Sequence, residues 1–320
     1  MSKILITGGS GFIGTHLIES LLKNGDEVLN IDIKGPKLES HIDYWRYLDI
    51  CNLIALRKFI KEFMPDYVIH LAARTDLRGI KLDDYKVNID GIKNILEVLD
   101  EIDNLKNVIF TSSMYVCEPG YQPISFDDYS PHTIYGQSKV LTEKIIKEKE
   151  RKYNWCIIRP TSIWGPYFGE PYNLFFKIVL SRKYFHLGVK ACRKTYGYVD
   201  NTIFQILTIL NSSSDKVDEK IFYLGDYDPY DITEWANEIA GCVNIKIPVI
   251  PFYLFQLAGW FGDILKAIGI TFPMTSFRLK NMTTNNIIDL KLIYEIVPNL
   301  PVSRIEGTKK TIEWIKNNHI

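Results

Sequence analysis

Thr7-Gly-Gly-Ser-Gly-Phe-Ile-Gly14 is preceded by an apolar run, Lys3-Ile-Leu-Ile6, and followed by a helical pattern that begins near Phe12. Strand, glycine-rich turn and helix in that order are the context a dinucleotide fingerprint needs. Gly8 permits the tight turn, Gly11 lets the backbone approach a pyrophosphate, and Gly14 lets the helix pack close to the strand. Phe12 and Ile13 head that helix, whose N-terminus presents amide donors to phosphate. The next strand pattern, Glu27-Val-Leu-Asn-Ile-Asp32, closes on a carboxylate about twenty residues further on, where it can accept both hydroxyls of an adenosine ribose. The same carboxylate repels a 2′-phosphate, so the expected cofactor is NAD rather than NADP.

A second segment, Tyr135-Gly-Gln-Ser-Lys139, opens another helical pattern just after Pro131. Residues at i and i+4 share a helix face, which sets Tyr135 beside Lys139. A phenol is a poor base at neutral pH, but an adjacent ammonium and a nearby nicotinamide cation favour its ionised form. Tyr135 can then exchange a proton with a substrate hydroxyl. The strand pattern Asn107-Val-Ile-Phe-Thr-Ser-Ser113 ends in three hydroxyl residues. Of these, Ser113 is placed to hydrogen-bond the reacting oxygen and Ser112 to lie near the nicotinamide. Together the two segments read as hydride transfer between a dinucleotide and a bound alcohol.

Over essentially its whole length the chain resembles the extended short-chain dehydrogenases/reductases of the NAD-dependent epimerase/dehydratase family. The marks run in order: Gly8 to Gly14, Asp32, Leu48-Asp49-Ile50, His70-Leu-Ala-Ala73, Val87-Asn88 with Gly91, Thr111 to Ser113, Tyr135 to Lys139, Arg159-Pro160 through Gly165-Pro166, and Tyr198-Val-Asp200. The resemblance implies that Asp49 and Ile50 meet the adenine, that Leu71, Ala72 and Ala73 line the dinucleotide, that Asn88 belongs to the cofactor site, and that Pro160 lies near the nicotinamide. It also implies a homodimer packed through the helices near Asp83–Asp100 and Tyr135–Arg151. Family 4,6-dehydratases carry an Asp-Glu pair after the active hydroxyl residue, whereas this chain has Met114 and Tyr115 there. That departure argues against a dehydratase.

Alternating β and α patterns to about residue 160 imply an α/β fold: a doubly wound, Rossmann-type parallel sheet with a smaller C-terminal α/β substrate-binding domain. The expected division is residues 1–160 plus about 194–215 for the NAD-binding domain, and about 161–193 plus 216–320 for the cap. Asp231–Cys242 and Ile305–Asn317 read as cap helices. The stretch Pro251–Phe272 is an unusually apolar helix candidate. Its first reading is cap core, and its second is a peripheral patch that touches a lipid surface or a lipid-linked substrate.

Lys and Arg total 38, as do Asp and Glu. With no global basic field, nucleic-acid binding is not expected. Five cysteines without a CxxC pair indicate neither a disulfide framework nor a zinc site, scattered histidines form no metal constellation, and His70 reads as part of the dinucleotide wall. No metal is expected. The first strand begins almost at once and no run approaches the eighteen or so apolar residues of a span, so a cytoplasmic location is expected, with peripheral contact at the inner face of the membrane left open.

Relatives in the family act mostly on nucleoside-diphosphate sugars, and a diphosphate calls for Arg or Lys from the cap. Arg278, Arg193 and Lys194 are the candidates implied by the resemblance, with Thr75 as a sugar contact. Ser162 stands where many nucleotide-sugar members have Asn. The leading expectation is a C4 epimerase of a nucleotide-linked or polyprenyl-diphosphate-linked hexose in surface polysaccharide assembly. A 4-keto-6-deoxy nucleotide-sugar reductase uses the same residues, and a non-catalytic dinucleotide-sensing regulator is the alternative of another class.

Overall fold

The computed structural model describes residues 1–189, 192–270 and 272–318. Its first half runs β1 (Lys3–Thr7), α1 (Phe12–Lys23), β2 (Glu27–Asp32), β3 (Trp45–Tyr47), α2 (Leu53–Phe63), β4 (Tyr67–His70), α3 (Lys86–Leu99), β5 (Asn107–Thr111), α4 (Ile134–Lys147) and β6 (Asn154–Pro160). There follow β7 (Ser162–Trp164), α5 (Leu174–Leu180), β8 (Arg193–Lys194), β9 (Tyr196–Tyr198), α6 (Val199–Leu210), α7 (Ser214–Val217) and β10 (Lys220–Leu224). The chain ends in β11 (Tyr230–Asp231), α8 (Ile232–Gly241), α9 (Phe252–Ala267), α10 (Ser276–Thr283), α11 (Lys291–Ile296) and α12 (Arg304–Asn317).

Seven strands form one sheet in the order β10-β6-β5-β4-β1-β2-β3, and every pair in it is parallel. Strand residues alternate between two cores. Ile4, Ile6, Ile69, Ile109 and Ile158 pack with Leu17 of α1 and Ile203 of α6, while Leu5, Leu29, Val68, Val108 and Ile157 pack with Leu56 of α2 and Ile95 of α3. A sheet buried on both faces needs apolar residues at successive positions, which is what these strands carry. Because the order reverses between β1 and β4, the crevice for a ligand opens beyond their carboxyl ends.

The structure departs from the sequence reading in two places. The sequence reading places about 194–215 with the NAD-binding domain and 216 onward in the cap, but the seventh strand of the sheet is β10, parallel to β6. Residues 194–215 instead supply β9, which pairs with β7 in a separate two-stranded sheet, and α6, which packs on α1. Ile221, Phe222 and Leu224 are all buried, so β10 shows no alternation from which its burial could be read. The second departure is α9. Only Gly259 and Gly262 of this helix are buried, so it is not cap core. Thr271, inside the same apolar stretch, lies outside the described residues. No helix among the described residues is long and apolar enough to cross a membrane.

Candidate active site

Local sequence builds the glycine turn at the end of β1. Gly8 has φ +74°, and a Cβ there would sit 2.6 Å from the Ala72 amide nitrogen, so only glycine fits. Gly14 has no room for a side chain against the Gly9 backbone, which brings α1 close to the strand. At Gly11 a Cβ would meet only the Gly8 carbonyl, at 3.1 Å, so the space above it is open to a ligand. Gly11 is also the N-cap of α1, with no side chain capping it, and Phe12 and Ile13 begin the helix beside that opening. Asn30, buried in β2, locks the turn by accepting from the Gly9 amide (2.9 Å) and donating to Ser10 Oγ (3.1 Å).

Asp32 stands beside this turn. Its carboxylate accepts the amides of Ser10 (3.1 Å) and Lys34 (2.9 Å), which fixes it at the mouth of the crevice. Asp49 is exposed and accepts the Cys51 amide, while Ile50 is buried and packs over Gly91. Leu71, Ala72 and Ala73 follow β4 directly, with the amides of Leu71 and Ala72 bonded to Thr7. Asn88 pins this strap, accepting from the Arg74 amide and donating to the Arg74 carbonyl, and its amide also reaches Ser138 of α4. Pro160 closes β6 in register with Leu224. His70 is buried against Phe110 and bonded to Thr7 Oγ1 (2.7 Å), and burial pushes its imidazole down to about 3. The orphaned hydroxyl of Ser112, buried with no partner in the protein, is the second observation after the open glycine cradle that fits a dinucleotide here.

Thr133 caps α4 by accepting from the Gly136 amide, which starts the helix just before Tyr135. Gly136 has no space for a Cβ against the Tyr115 carbonyl, so α4 approaches closely the turn that follows Ser113. The consequence is that Ser113, Tyr135 and Lys139 converge at the end of β5, and all three are buried. Lys139 Nζ donates to the Thr111 carbonyl (2.8 Å). Burial pushes the Lys139 ammonium down to about 8, against the pull of Glu143 one turn on. Burial also raises the Tyr135 phenol well above its ordinary value, and the hydrogen bond from Ser113 opposes that rise. On the protein alone burial outweighs the Ser113 hydrogen bond at Tyr135.

Several contacts escaped the sequence reading, which had singled out Tyr115 only as standing where dehydratases carry an acid–base pair. Tyr85 and Tyr115 set their rings 5.9 Å and 6.1 Å from that of Tyr135, and Tyr115 stacks on His132. Behind Lys139 lies an ion pair with no solvent exposure, in which Arg159 grips Glu143 through two bonds of 2.9 Å and 2.7 Å and also reaches the Tyr223 hydroxyl and the Phe126 carbonyl. Glu143 follows Lys139 by one helical turn, and that spacing was its signal. A cavity of about 310 Å³ adjoins Ser113 through Met114 and Tyr115 and is walled by Phe126, Tyr223 and Ile287.

The four further residues expected to meet substrate lie on the segment after β4 and around β8 and α10. Thr75 is exposed beyond the strap. Lys194 donates to the Asn281 carbonyl at the end of α10, Arg193 neighbours it on β8, and Arg278 on α10 donates to the Pro273 carbonyl. Arg193 and Lys194 therefore lie at the junction of β8 with the end of α10, while Arg278 reaches toward the segment that precedes α10.

Comparison with known proteins agrees with this arrangement. Over 98% of its length, and 95% of the relative's, the chain is 28% identical to the N-acetyl-alpha-D-glucosaminyl-diphospho-ditrans,octacis-undecaprenol 4-epimerase of Escherichia coli O157:H7. The UDP-glucose 4-epimerase of Thermotoga maritima, solved with UDP-glucose, superposes with a TM-score of 0.76 at 21% identity, covering 99% of this chain and all of that one. The Thermus thermophilus UDP-glucose 4-epimerase, solved with NAD, gives 0.72 at 21% identity, over 98% and 99% of the two chains. The model of the NAD dependent epimerase/dehydratase family matches residues 4–225, which span the glycine turn, Ser113, Tyr135, Lys139 and, but for Lys3, the parallel sheet. The chain belongs to that family.

Proposed function

We propose that this protein is a sugar 4-epimerase acting on a hexose carried by a diphosphate, with a polyprenyl diphosphate as carrier ahead of a nucleotide. The observation that carries the reading is the convergence of Ser113, Tyr135 and Lys139 beside the open glycine cradle. The preference for a lipid carrier rests on the Escherichia coli relative, which aligns over nearly both full lengths. Bound NAD, held by the amides around Gly11 to Ile13, by Asp32 and by the strap Leu71 to Ala73, supplies a reversible hydride acceptor.

The chain's own residues do the rest. Tyr135 takes the proton of the C4 hydroxyl and returns it, and Ser113 holds the same oxygen by a hydrogen bond. Lys139 bears a positive charge that favours the phenolate once the site is complete. Tyr85 and Tyr115 wall the reacting carbon from water, and the cavity beyond Tyr115 leaves room for a hexose substituent. A cytoplasmic role in surface polysaccharide assembly follows from such a substrate. The proposal includes a homodimer formed through α3 and α4. Neither helix carries an exposed large apolar side chain, so pairing there is polar, and sedimentation equilibrium reads it.

The test is turnover of C4-epimeric N-acetylhexosamines offered as polyprenyl-diphosphate and as UDP derivatives, with wild type and Tyr135→Phe. The proposal expects interconversion by wild type, with the lipid-linked form preferred. Tyr135→Phe should lose about 10²–10⁴ in rate, the usual contribution of a general acid–base. Equal activity in the two proteins contradicts the proposed role of Tyr135.

A further inference from the structure

Tyr253, Leu257, Trp260, Phe261, Ile264 and Ile268 of α9 and its C-cap recur at helical spacing, and each is between 43% and 67% exposed. At about 100° per residue they span roughly a third of the helix circumference, and no charged residue falls within that arc. Phe277 of α10 is 70% exposed as well. The opposite side of α9 is held tightly: Gly262 has no room for a side chain against the Met274 carbonyl, and Asp263 accepts the Ser276 amide. The two helices are therefore held together on one side of α9, and its apolar face points outward.

Residues 252–283 carry Lys266, Arg278 and Lys280 against the single carboxylate of Asp263, a net charge of +2. Two copies meeting across this face would bring like charges together, which disfavours a homodimer there. An anionic lipid surface complements both features, since Trp, Phe and Tyr settle at the headgroup boundary and cations at its rim. Lys194 is tied to Asn281 at the end of α10, so the apolar face and the cationic junction of β8 with α10 belong to one module.

We infer that the α9–α10 hairpin docks on the surface of an anionic bilayer and presents the cleft to a diphosphate whose lipid tail stays in that bilayer. The purpose rests on the proposed lipid-linked substrate, but the docking itself is read without any substrate. The experiment is co-sedimentation of the full chain with vesicles of phosphatidylcholine alone and of phosphatidylcholine with about a third phosphatidylglycerol. Trp260 is the only exposed residue among six tryptophans, so its emission reports the contact. Binding to the anionic vesicles, weakened by salt and accompanied by a blue shift, is expected. A triple variant, Leu257→Ser, Trp260→Ser and Phe261→Ser, should lose about tenfold or more in vesicle affinity, because binding scales with buried apolar area. These side chains are exposed, so the variant should keep its thermal midpoint, which controls for folding.

Absence of binding to either vesicle overturns the inference, as does wild-type binding by the folded triple variant. A wild-type dimer that the triple variant abolishes, without vesicle binding, also overturns it and assigns the face to a second copy. Epimerisation of a lipid-linked sugar in detergent without vesicle binding removes this inference alone. Vesicle binding with no turnover of any lipid-linked sugar leaves it standing and removes the proposed substrate.

Discussion

Single residues separate the roles of chemistry and architecture at this site. In the proposed reaction Tyr135 exchanges a proton, whereas Glu143 and Arg159, equally buried, pair with each other. Leaving one member of such a pair uncompensated costs about 3–5 kcal/mol. Glu143→Ala should therefore lower the urea unfolding free energy by about that much, and Glu143→Leu combined with Arg159→Met should restore most of it. If Glu143→Ala leaves the unfolding midpoint unmoved, the pair is not structural. The placing of Gly8, Gly11, Gly14, Asp32, Ser113, Tyr135 and Lys139 was legible in the sequence because each sits within a few residues of a strand end or helix start. Asn30, Tyr85 and the Glu143–Arg159 pair were not. They act across contacts between residues far apart in the chain, which only the packed structure brings together: Asn30 with Gly9, Glu143 with Arg159 and Tyr85 with Tyr135 are such cases.

The decisive element is the β1–turn–α1 unit, whose two glycines answer to different constraints. At Gly8 the positive φ and the approach of Ala72 come from the protein itself, and at Gly11 the open side faces the ligand. Gly11→Val should thus fold normally and lose dinucleotide affinity by roughly a hundredfold, equivalent to about 2.7 kcal/mol. Gly8→Val should lose stability, with strain alone costing about 1–3 kcal/mol. Calorimetric titration with NAD and thermal melts distinguish the two, and matching phenotypes would contradict this division of labour. Strands β1, β2, β5 and β6 were readable because their apolar runs are bounded by turn residues. By contrast β10 was hidden, because a five-residue strand buried on both faces lacks alternation. The helix α9 was readable as apolar, but the sequence ranked cap core ahead of the exposed patch, since periodicity locates a stripe without saying what covers it.

Across the whole molecule, buried titratable groups make folding sensitive to acid. His70 is held near 3 against an ordinary 6.5 because burial penalises the imidazolium. The unfolded chain then takes up the proton first as pH falls below about 6.5, and stability is lost through that window toward pH 3. Burial also lowers His16, His41 and His132, in the same sense. Asp226, pushed up to about 6 by burial, works in the opposite sense as pH falls from about 6 toward 3.8. Four groups against one predict a lower urea midpoint at about pH 5 than at pH 7.5, with His70→Gln narrowing the gap. An equal or higher midpoint at the lower pH contradicts this. The central claim is an epimerase that retains its cofactor and consumes no reductant. Its most direct test is to denature the purified protein, identify the released nucleotide by mass and absorbance, and assay interconversion of C4-epimeric sugars with nothing added. The account predicts NAD bound to the protein and both epimers formed from either one. A protein that emerges empty and needs stoichiometric NADH or NADPH to consume a 4-keto sugar would contradict it.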